Sequence, residues 1–368
     1  MKILWLFSGG MFKNGICMSQ LDYYKKIDKK KYTIDVLTID TSSREMIDQF
    51  KNEGCIVYIL ANKRKHLFKY IKQLEKIIKR EKYDVVHVHG SSYLLSIDLN
   101  VAKKCGVKVR IAHSRNTSCD HLLINRLFRK SFDKSYNVAL ACGNEAGKWL
   151  FNDGEFIVFH NGKDLKKFEY NQIKRDEYRE KLNIKEKVAI GHVGVFSKQK
   201  NHMFLVDVFN DIHKINDNTY LFLFGVGNLQ KSIKDKVHSL GLDNNVFFMN
   251  NKNNIEFYLN AMDVMLFPSF FEGLPNVVLE WQASGLPCLI SDKITKECAV
   301  CDLVTYLPID KGTKLWVKAF NSIDIDEKKR YQKSKDACEK LRENNFDIEE
   351  NTKKLEMMYS SYKQEKGD

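Results

Sequence analysis

The chain is poor in proline, has no long apolar run, carries no paired cysteine framework and shows no excess of acid. Four prolines and a 43% hydrophobic content exclude both a collagen-like chain and an intrinsically disordered one. The longest early apolar run, Ile3 to Phe7, is too short for the core of a signal peptide and far short of the ~20 residues that span a bilayer. The expectation is a protein made and kept in the cytoplasm. Nine cysteines, an odd number and scattered, point to reduced thiols with no disulfide framework. Cys298 and Cys301 have metal-ligand spacing, but a structural zinc site needs four ligands and no second pair accompanies them.

What is present begins with length. A chain of 368 residues exceeds what one hydrophobic core usually supports, so two domains are expected. The net charge of +13 is unevenly spread. Before residue 166 there are 29 Lys+Arg against 17 Asp+Glu; from residue 166 on, 31 against 30. The extreme segment is Asn62 to Lys82, with nine basic residues and two glutamates. Its Leu67, Phe68, Ile71, Leu74, Ile77 and Ile78 recur at helical spacing, so it reads as a basic amphipathic helix. A second basic stretch, Asn125 to Lys134, follows Leu122–Ile124. Such helices suit either a solvated lysine face or an anionic lipid surface, where each basic residue contributes about 1 kcal/mol. No nucleic-acid recognition motif accompanies them, so nucleic acid is not an expected partner.

Short apolar runs alternate with helical stretches, the pattern of parallel sheets with crossover helices. The first half predicts strands at Lys2–Phe7, Thr33–Ile39, Cys55–Ile59, Val85–His89, Val107–Ala112 and Val138–Ala141, a six-stranded sheet. Phe156–Phe159 then leads into HNGKDLKKF. The charged segment Glu169–Lys187 has almost no apolar periodicity and reads as a linker. The alternation restarts at Val188–Val193, Tyr220–Phe224, Val246–Phe248, Val264–Phe267, Cys288–Ile290 and Leu303–Tyr306. Domains are expected at 1–165 and 166–345, with a C-terminal helix over 346–368 packing back on the first. In doubly wound sheets ligands bind beyond the carboxyl ends of the strands, so the loops there should hold the chemistry.

Four such loops carry signals. Ser8-Gly9-Gly10 lets backbone approach a phosphate or sugar. Gly194 opens a loop running to Lys200 and His202, where a lysine beside a helix start is placed to neutralise a diphosphate. Gly225 and Gly227 form another tight turn. The richest stretch is Pro268 to Glu280. A strand ends at Phe267, the loop carries Glu272, and Pro275 stands where a helix begins. That helix start would meet an anion while Glu272 accepts sugar hydroxyls, and Glu280, one to two turns on, would take two vicinal hydroxyls. A glycoside hydrolase needs its two carboxylates at ~5–9.5 Å across one bond. Eight helical residues span about 12 Å, so these glutamates address different groups of one ligand, the layout of a nucleotide sugar.

These residues resemble the family 4 retaining glycosyltransferases, over nearly the whole chain and most specifically in PSFFEGLPNVVLE. HVGVFSKQKNH is similar to the family's diphosphate loop, and AHSRN to its acceptor-side loop. The resemblance implies a GT-B fold, α/β, with two Rossmann-like domains facing across a cleft. It implies that Glu272 holds donor-sugar hydroxyls, with Gly273 and Leu274 offering N–H groups. Glu280 would bind the ribose, Lys200 the leaving diphosphate, and His113 would sit at the reacting centre. Gly10, Gly194, Gly225 and Pro275 complete the expected binding set. The family commonly has arginine where Val195 stands, so one of two expected cations is missing unless Lys198 substitutes. Losing one such donor can cost ~3–4 kcal/mol of transition-state stabilisation.

The reading is a retaining hexosyltransferase of the bacterial capsular and extracellular polysaccharide type, moving a sugar from a nucleotide diphosphate donor, UDP-sugar foremost, to a lipid-linked or growing glycan. No cofactor beyond the donor and no divalent metal are expected. The basic N-terminal helices would dock on the inner face of the cell membrane. A nucleotide-sugar 2-epimerase of the same fold and a catalytically weak partner in a polysaccharide assembly complex remain as alternatives.

Overall fold

The computed structural model describes residues 1–12, 15–117, 119, 122–252 and 254–365. The chain forms two compact units, Met1–Lys163 with Asn345–Asp368, and Asp164–Asn344. The first holds a parallel sheet of β1 (Lys2–Phe7), β2 (Thr33–Ile39), β3 (Val57–Leu60), β4 (Val85–Gly90), β5 (Val109–Ser114), β6 (Val138–Ala141) and β7 (Ile157–Val158). Their order is β3-β2-β1-β4-β5-β6-β7. The sheet therefore has seven strands, not six, because Ile157 and Val158 pair with Leu140 and Ala141 at the edge.

Alternation along the strands divides the core into two layers. Ile3, Trp5, Val85, Val109, Ile111 and Leu140 pack with Cys17 and Leu21 of helix Gly15–Lys26 and with Leu355 and Tyr359 of helix Ile348–Glu365. Leu4, Leu6, Val86 and Val88 pack on the other face with Tyr70, Leu74 and Ile78 of helix Leu67–Glu81. The C-terminal helix is thus part of the first unit. The buried Tyr359 hydroxyl accepts from Trp5 Nε1 at 2.9 Å and lies 2.7 Å from His87 Nδ1.

The basic segments take a different form from the one the sequence suggests. Leu67 and Phe68 are exposed, Phe68 at 82%, and Tyr70 takes their place in the core. Lys63 leaves the solvated face altogether and pairs with the fully buried Asp98 at 2.7 Å. The Asn125–Lys134 stretch belongs to two short helices, Leu122–Leu127 and Arg129–Asp133.

The second unit repeats the architecture with β8 (Val188–Val193), β9 (Thr219–Phe224), β10 (Val246–Asn250), β11 (Val264–Phe267), β12 (Cys288–Ser291) and β13 (Val304–Leu307), all parallel, ordered β10-β9-β8-β11-β12-β13. The expected linker at 169–187 is corrected here. It contains helix Gln172–Lys181, started by Asn171, whose side chain accepts from Lys174 N. Its Arg175 and Arg179 are buried against Asp263 at 2.6 and 3.1 Å, and Arg175 also donates to the carbonyls of Asn260 and Met262. Charge hid the packing: the buried face is ionic, its partner lies far along the chain, and apolar periodicity could not show it. The unit boundaries fall instead at Lys163/Asp164 and Asn344/Asn345.

Candidate functional site

In the second sheet the strand order reverses between β8 and β11, the position where doubly wound folds open a crevice for ligands. The loops leaving these two strands are tied together. Phe270 N donates to Gln199 O at 2.9 Å, Gln199 Nε2 donates to Phe271 O at 2.9 Å, and Lys200 Nζ meets Glu272 Oε1 at 2.6 Å. The Lys200 ammonium also sits 4.6 Å from the centroid of the Phe267 ring, a cation–π contact. Both charged side chains are largely enclosed, at 16% and 10% exposure, so water screens the pair only partly. The structure therefore brings together Lys200 and Glu272, two residues the sequence singled out separately.

Around this pair the backbone runs close to itself. Gly225 has φ of +146°, and a Cβ there would lie 2.0 Å from Gly194 O. Only glycine fits, which brings the turn after β9 onto the loop after β8. Gly194 N donates to Phe224 O at 2.9 Å and Phe196 N to Val226 O at 3.1 Å, closing the same contact. Pro275 is the N-cap of helix Asn276–Ala283, one residue outside it. The backbone N–H groups of Gly273 and Leu274 make no hydrogen bond with another described residue. Glu280 is half-buried within that helix. Val195 is 60% exposed and Lys198 is exposed in the short turn Lys198–Lys200.

Two histidines support this loop from beneath, and the sequence reading gave them no role. His192 is fully buried, and its Nδ1 donates to Leu266 O at 2.8 Å. Burial lowers its pKa well below the usual range, so the ring is neutral and its Nε2 is a bare acceptor without a partner among the described residues. That nitrogen lies 3.0 Å from where a Cβ on Gly194 would be. His202 packs edge-on against it and is held neutral, its pKa pushed to about 4 by burial and then by Lys200. Their only sequence signal was the position of His202 at the loop's end.

In the first unit, Gly10 has φ of +97° and its N donates to Phe7 O at 3.0 Å, making the turn after β1. Beside it Ser8 Oγ donates to Asp98 Oδ2 at 2.9 Å, which also receives Lys63 Nζ, while Tyr70 OH donates to Asp98 Oδ1 at 2.6 Å. His113 stands on β5 where the acceptor-side loop begins, but its side chain is fully buried. The histidine expected at the reacting centre therefore has no open side chain: β5 is an interior strand, and position 113 faces inward beside His87, His89 and Phe159.

A hydrogen-bond chain sets its tautomer. Trp5 N–H donates to Tyr359 O, so the Tyr359 O–H donates to His87 Nδ1. Burial holds both His87 and His113 neutral, so His87 Nε2–H donates to His113 Nδ1 at 2.9 Å. His113 Nε2 then carries its proton, inside the core beside Phe159.

His87, His89 and His113 are also the group of three metal-capable side chains among the described residues, with ligand atoms within 4.8 Å of one another. Their lone pairs are already engaged. His89 Nδ1 accepts from the buried Arg115 at 3.1 Å, and that guanidinium, whose pKa burial lowers to about 10, adds a cation beside the rings. The cluster offers N–H donors rather than lone pairs and does not suit a metal ion. Cys298 and Cys301 bond separately, to Thr295 O and to Gln282 Oε1.

Residues 174–347 match the family described as Glycosyl transferases group 1, and residues 11–113 match Glycosyl transferase 4-like. A Bacillus subtilis (strain 168) protein named as the glycosyltransferase EpsF is 30% identical over 86% of each chain. The capsular polysaccharide biosynthesis glycosyltransferase CapH of Staphylococcus aureus is 27% identical over 80% of this chain and 82% of its own. Among solved structures, Anabaena HepE in complex with UDP superposes with a TM-score of 0.82 at 15% identity, covering 98% of this chain and all of that one. The shared fold is GT-B.

Proposed function

This chain belongs to the family 4 type of glycosyltransferases that act in polysaccharide biosynthesis, and from that membership we propose that it transfers a sugar from a UDP-sugar to a lipid-linked or growing glycan with retention of anomeric configuration. The observation that carries the reading is the Lys200–Glu272 pair at the strand-order reversal of the second sheet. In the donor complex the diphosphate takes the place of Glu272 at Lys200. Glu272, released, accepts the hydroxyls of the donor sugar. Gly273 and Leu274 supply N–H groups, Glu280 takes the ribose, and the turns at Gly194 and Gly225 let backbone come close to the phosphates.

Departure of UDP builds negative charge on the diphosphate, and a pre-placed cation with backbone N–H groups stabilises that charge as it develops. Lys200 and the start of helix Asn276–Ala283 fill the place that a divalent metal would otherwise take. His113, buried and held in one tautomer, stands where the acceptor-side loop begins. The UDP complex of HepE supports UDP as the nucleotide.

Membrane association is peripheral in this reading. No helix of the described residues is long and apolar enough to cross a bilayer. The first unit has 33 basic residues against 22 acidic ones, and it exposes Phe68 and Leu127, each at 82%, on its basic helices. Apolar tips surrounded by lysine suit an anionic lipid surface.

A second reading, a weakly catalytic nucleotide-sugar-binding partner, draws on Val195, whose exposed side chain supplies no cation. The experiment is a screen of UDP-, GDP- and dTDP-sugars for protection against heat, followed by transfer of labelled sugar to glycan lipid in EDTA and assignment of the product anomer by NMR. A donor at about 100 times its dissociation constant adds about 2.7 kcal/mol of stability. Protection without transfer favours the second reading, and no protection by any UDP-sugar sinks the first.

A further inference from the structure

We infer that the first unit carries a separate pocket for a sugar phosphate, formed by helices Leu122–Leu127 and Asn144–Phe151 and the turn after β4, and that Trp149, Asn125 and Arg126 recognise it. The inference deepens the proposed function, since it gives a lipid-linked glycan a place to bind, and it rests on that reading only for the identity of the ligand.

The pocket is a hollow of about 460 Å³, within the range of small-molecule sites and large enough for a hexose with its phosphate. Asn125 is 6% exposed and lines it. Its Oδ1 accepts from Tyr93 N at 2.6 Å and Ser92 Oγ at 2.9 Å, which fixes the carboxamide and leaves both Nδ2 hydrogens without a partner among the described residues. The Nδ2 group opens onto the hollow, where it is free to donate to a ligand. Arg126, the next residue, is exposed with no ion pair among the described residues. Lys148 adds an ammonium, and the pocket's carboxylate, Glu145, is already paired with it at 3.0 Å.

Donors therefore outnumber free acceptors, and the fork of Arg126 beside an amide NH₂ matches a phosphate. The remaining wall is aromatic. Trp149 is held by its N–H donating to Ser91 O at 2.8 Å, and Tyr93 lines the same space. Rings of this kind pack against the C–H face of a sugar. Ile124 and Leu127, exposed on the helix that carries Asn125 and Arg126, would lie alongside an apolar chain attached to that phosphate.

Tryptophan accessibility reads the pocket directly. Trp5, Trp281 and Trp316 are fully buried, and Trp149 is half-buried, so quenching by neutral acrylamide reports on Trp149. Glucose 1-phosphate is expected to protect the full chain from acrylamide, W149F to abolish the protected signal, and R126A to weaken protection roughly tenfold, the loss of a charge-assisted hydrogen bond. Circular dichroism checks that each variant is folded. Glucose and inorganic phosphate are run separately and should each protect less than the joined molecule. Equal protection of wild type and R126A would overturn the proposal, as would no protection of wild type, or inorganic phosphate matching glucose 1-phosphate. UDP binding by calorimetry on the same preparations separates the two failures: UDP bound without protection removes the pocket alone, whereas protection without UDP binding removes the donor reading alone.

Discussion

Lys200 and Glu272 stand 72 residues apart in sequence, yet their side chains meet at 2.6 Å across two loops at the strand-order reversal. The pair satisfies each charge in a partly dry setting, and in the proposed function a donor separates it. Lys200→Ala is therefore expected to weaken UDP binding and to lower transfer by 10² or more, an estimate on the order of one lost transition-state donor. Glu272→Gln is expected to lose transfer while binding UDP at least as well as wild type, since Lys200 no longer has a competing carboxylate. Calorimetry with UDP and a radiolabel transfer assay make the comparison; turnover retained in Glu272→Gln would refute the site.

Gly225→Ala places a methyl group 2.0 Å from Gly194 O at a φ of +146°. The loops after β8 and β9 must then part. A loss of about 2–4 kcal/mol in stability together with loss of UDP binding is expected. A variant that melts with wild type and binds UDP normally would show that the close approach is not needed.

Tyr359→Phe removes a hydroxyl that serves both Trp5 and His87 while keeping the ring in the core. Two buried groups lose their partner, so a fall of about 2–3 kcal/mol is expected in denaturant unfolding. The same change frees the tautomer of His87 and hence of His113, and the His113 ring resonances in nitrogen-15 NMR should shift. Unchanged resonances would mean that the relay does not fix His113.

Acid should destabilise the fold before ordinary carboxylates titrate. His202 has its pKa lowered to about 4 by burial, against about 6.5 in the unfolded chain, so between these values the unfolded state binds more protons. Stability is full above that window and falls as pH drops through it, by on the order of 3 kcal/mol for this residue. Melting temperatures from pH 7.5 to 4.5 check the slope, and His202→Leu should make it shallower by this share, the buried neutral His87, His89, His113 and His192 supplying the rest. A slope unchanged in that variant would assign the acid sensitivity elsewhere.

For membrane docking, flotation with phosphatidylglycerol vesicles should carry the protein at low salt and release it as salt rises, because surface charge is screened within about 10 Å at 0.1 M. Replacing Phe68 and Leu127 by serine is expected to lower the floated fraction at every salt concentration. Equal flotation with neutral phosphatidylcholine would argue against the basic surface.

The strands were legible because buried parallel strands are short apolar runs, and β1, β2, β6, β8 and β11 lie where those runs do. Glu272 and Lys200 were legible because loops after such strands carry few residues that packing explains. Helix Gln172–Lys181 was not, since its buried face holds Arg175 and Arg179 beside Tyr178, the arginines paired with Asp263 and Arg175 also with Glu327. Nor was the burial of Lys63 among so many solvated lysines, because its partner Asp98 lies 35 residues on, in helix Leu95–Lys104.

By itself the sequence determined the two doubly wound sheets, the uneven charge and the candidate loops after the strands, all of which follow from local periodicity and composition. Only the tertiary structure decided which charges pair: Lys200 with Glu272, Lys63 with Asp98, Arg175 with Asp263 and Glu327, and Arg179 with Asp263. It likewise decided that Tyr359 orients His113 through His87. Pairing of buried polar groups depends on distances across the fold, and no pattern within a window of sequence encodes those distances.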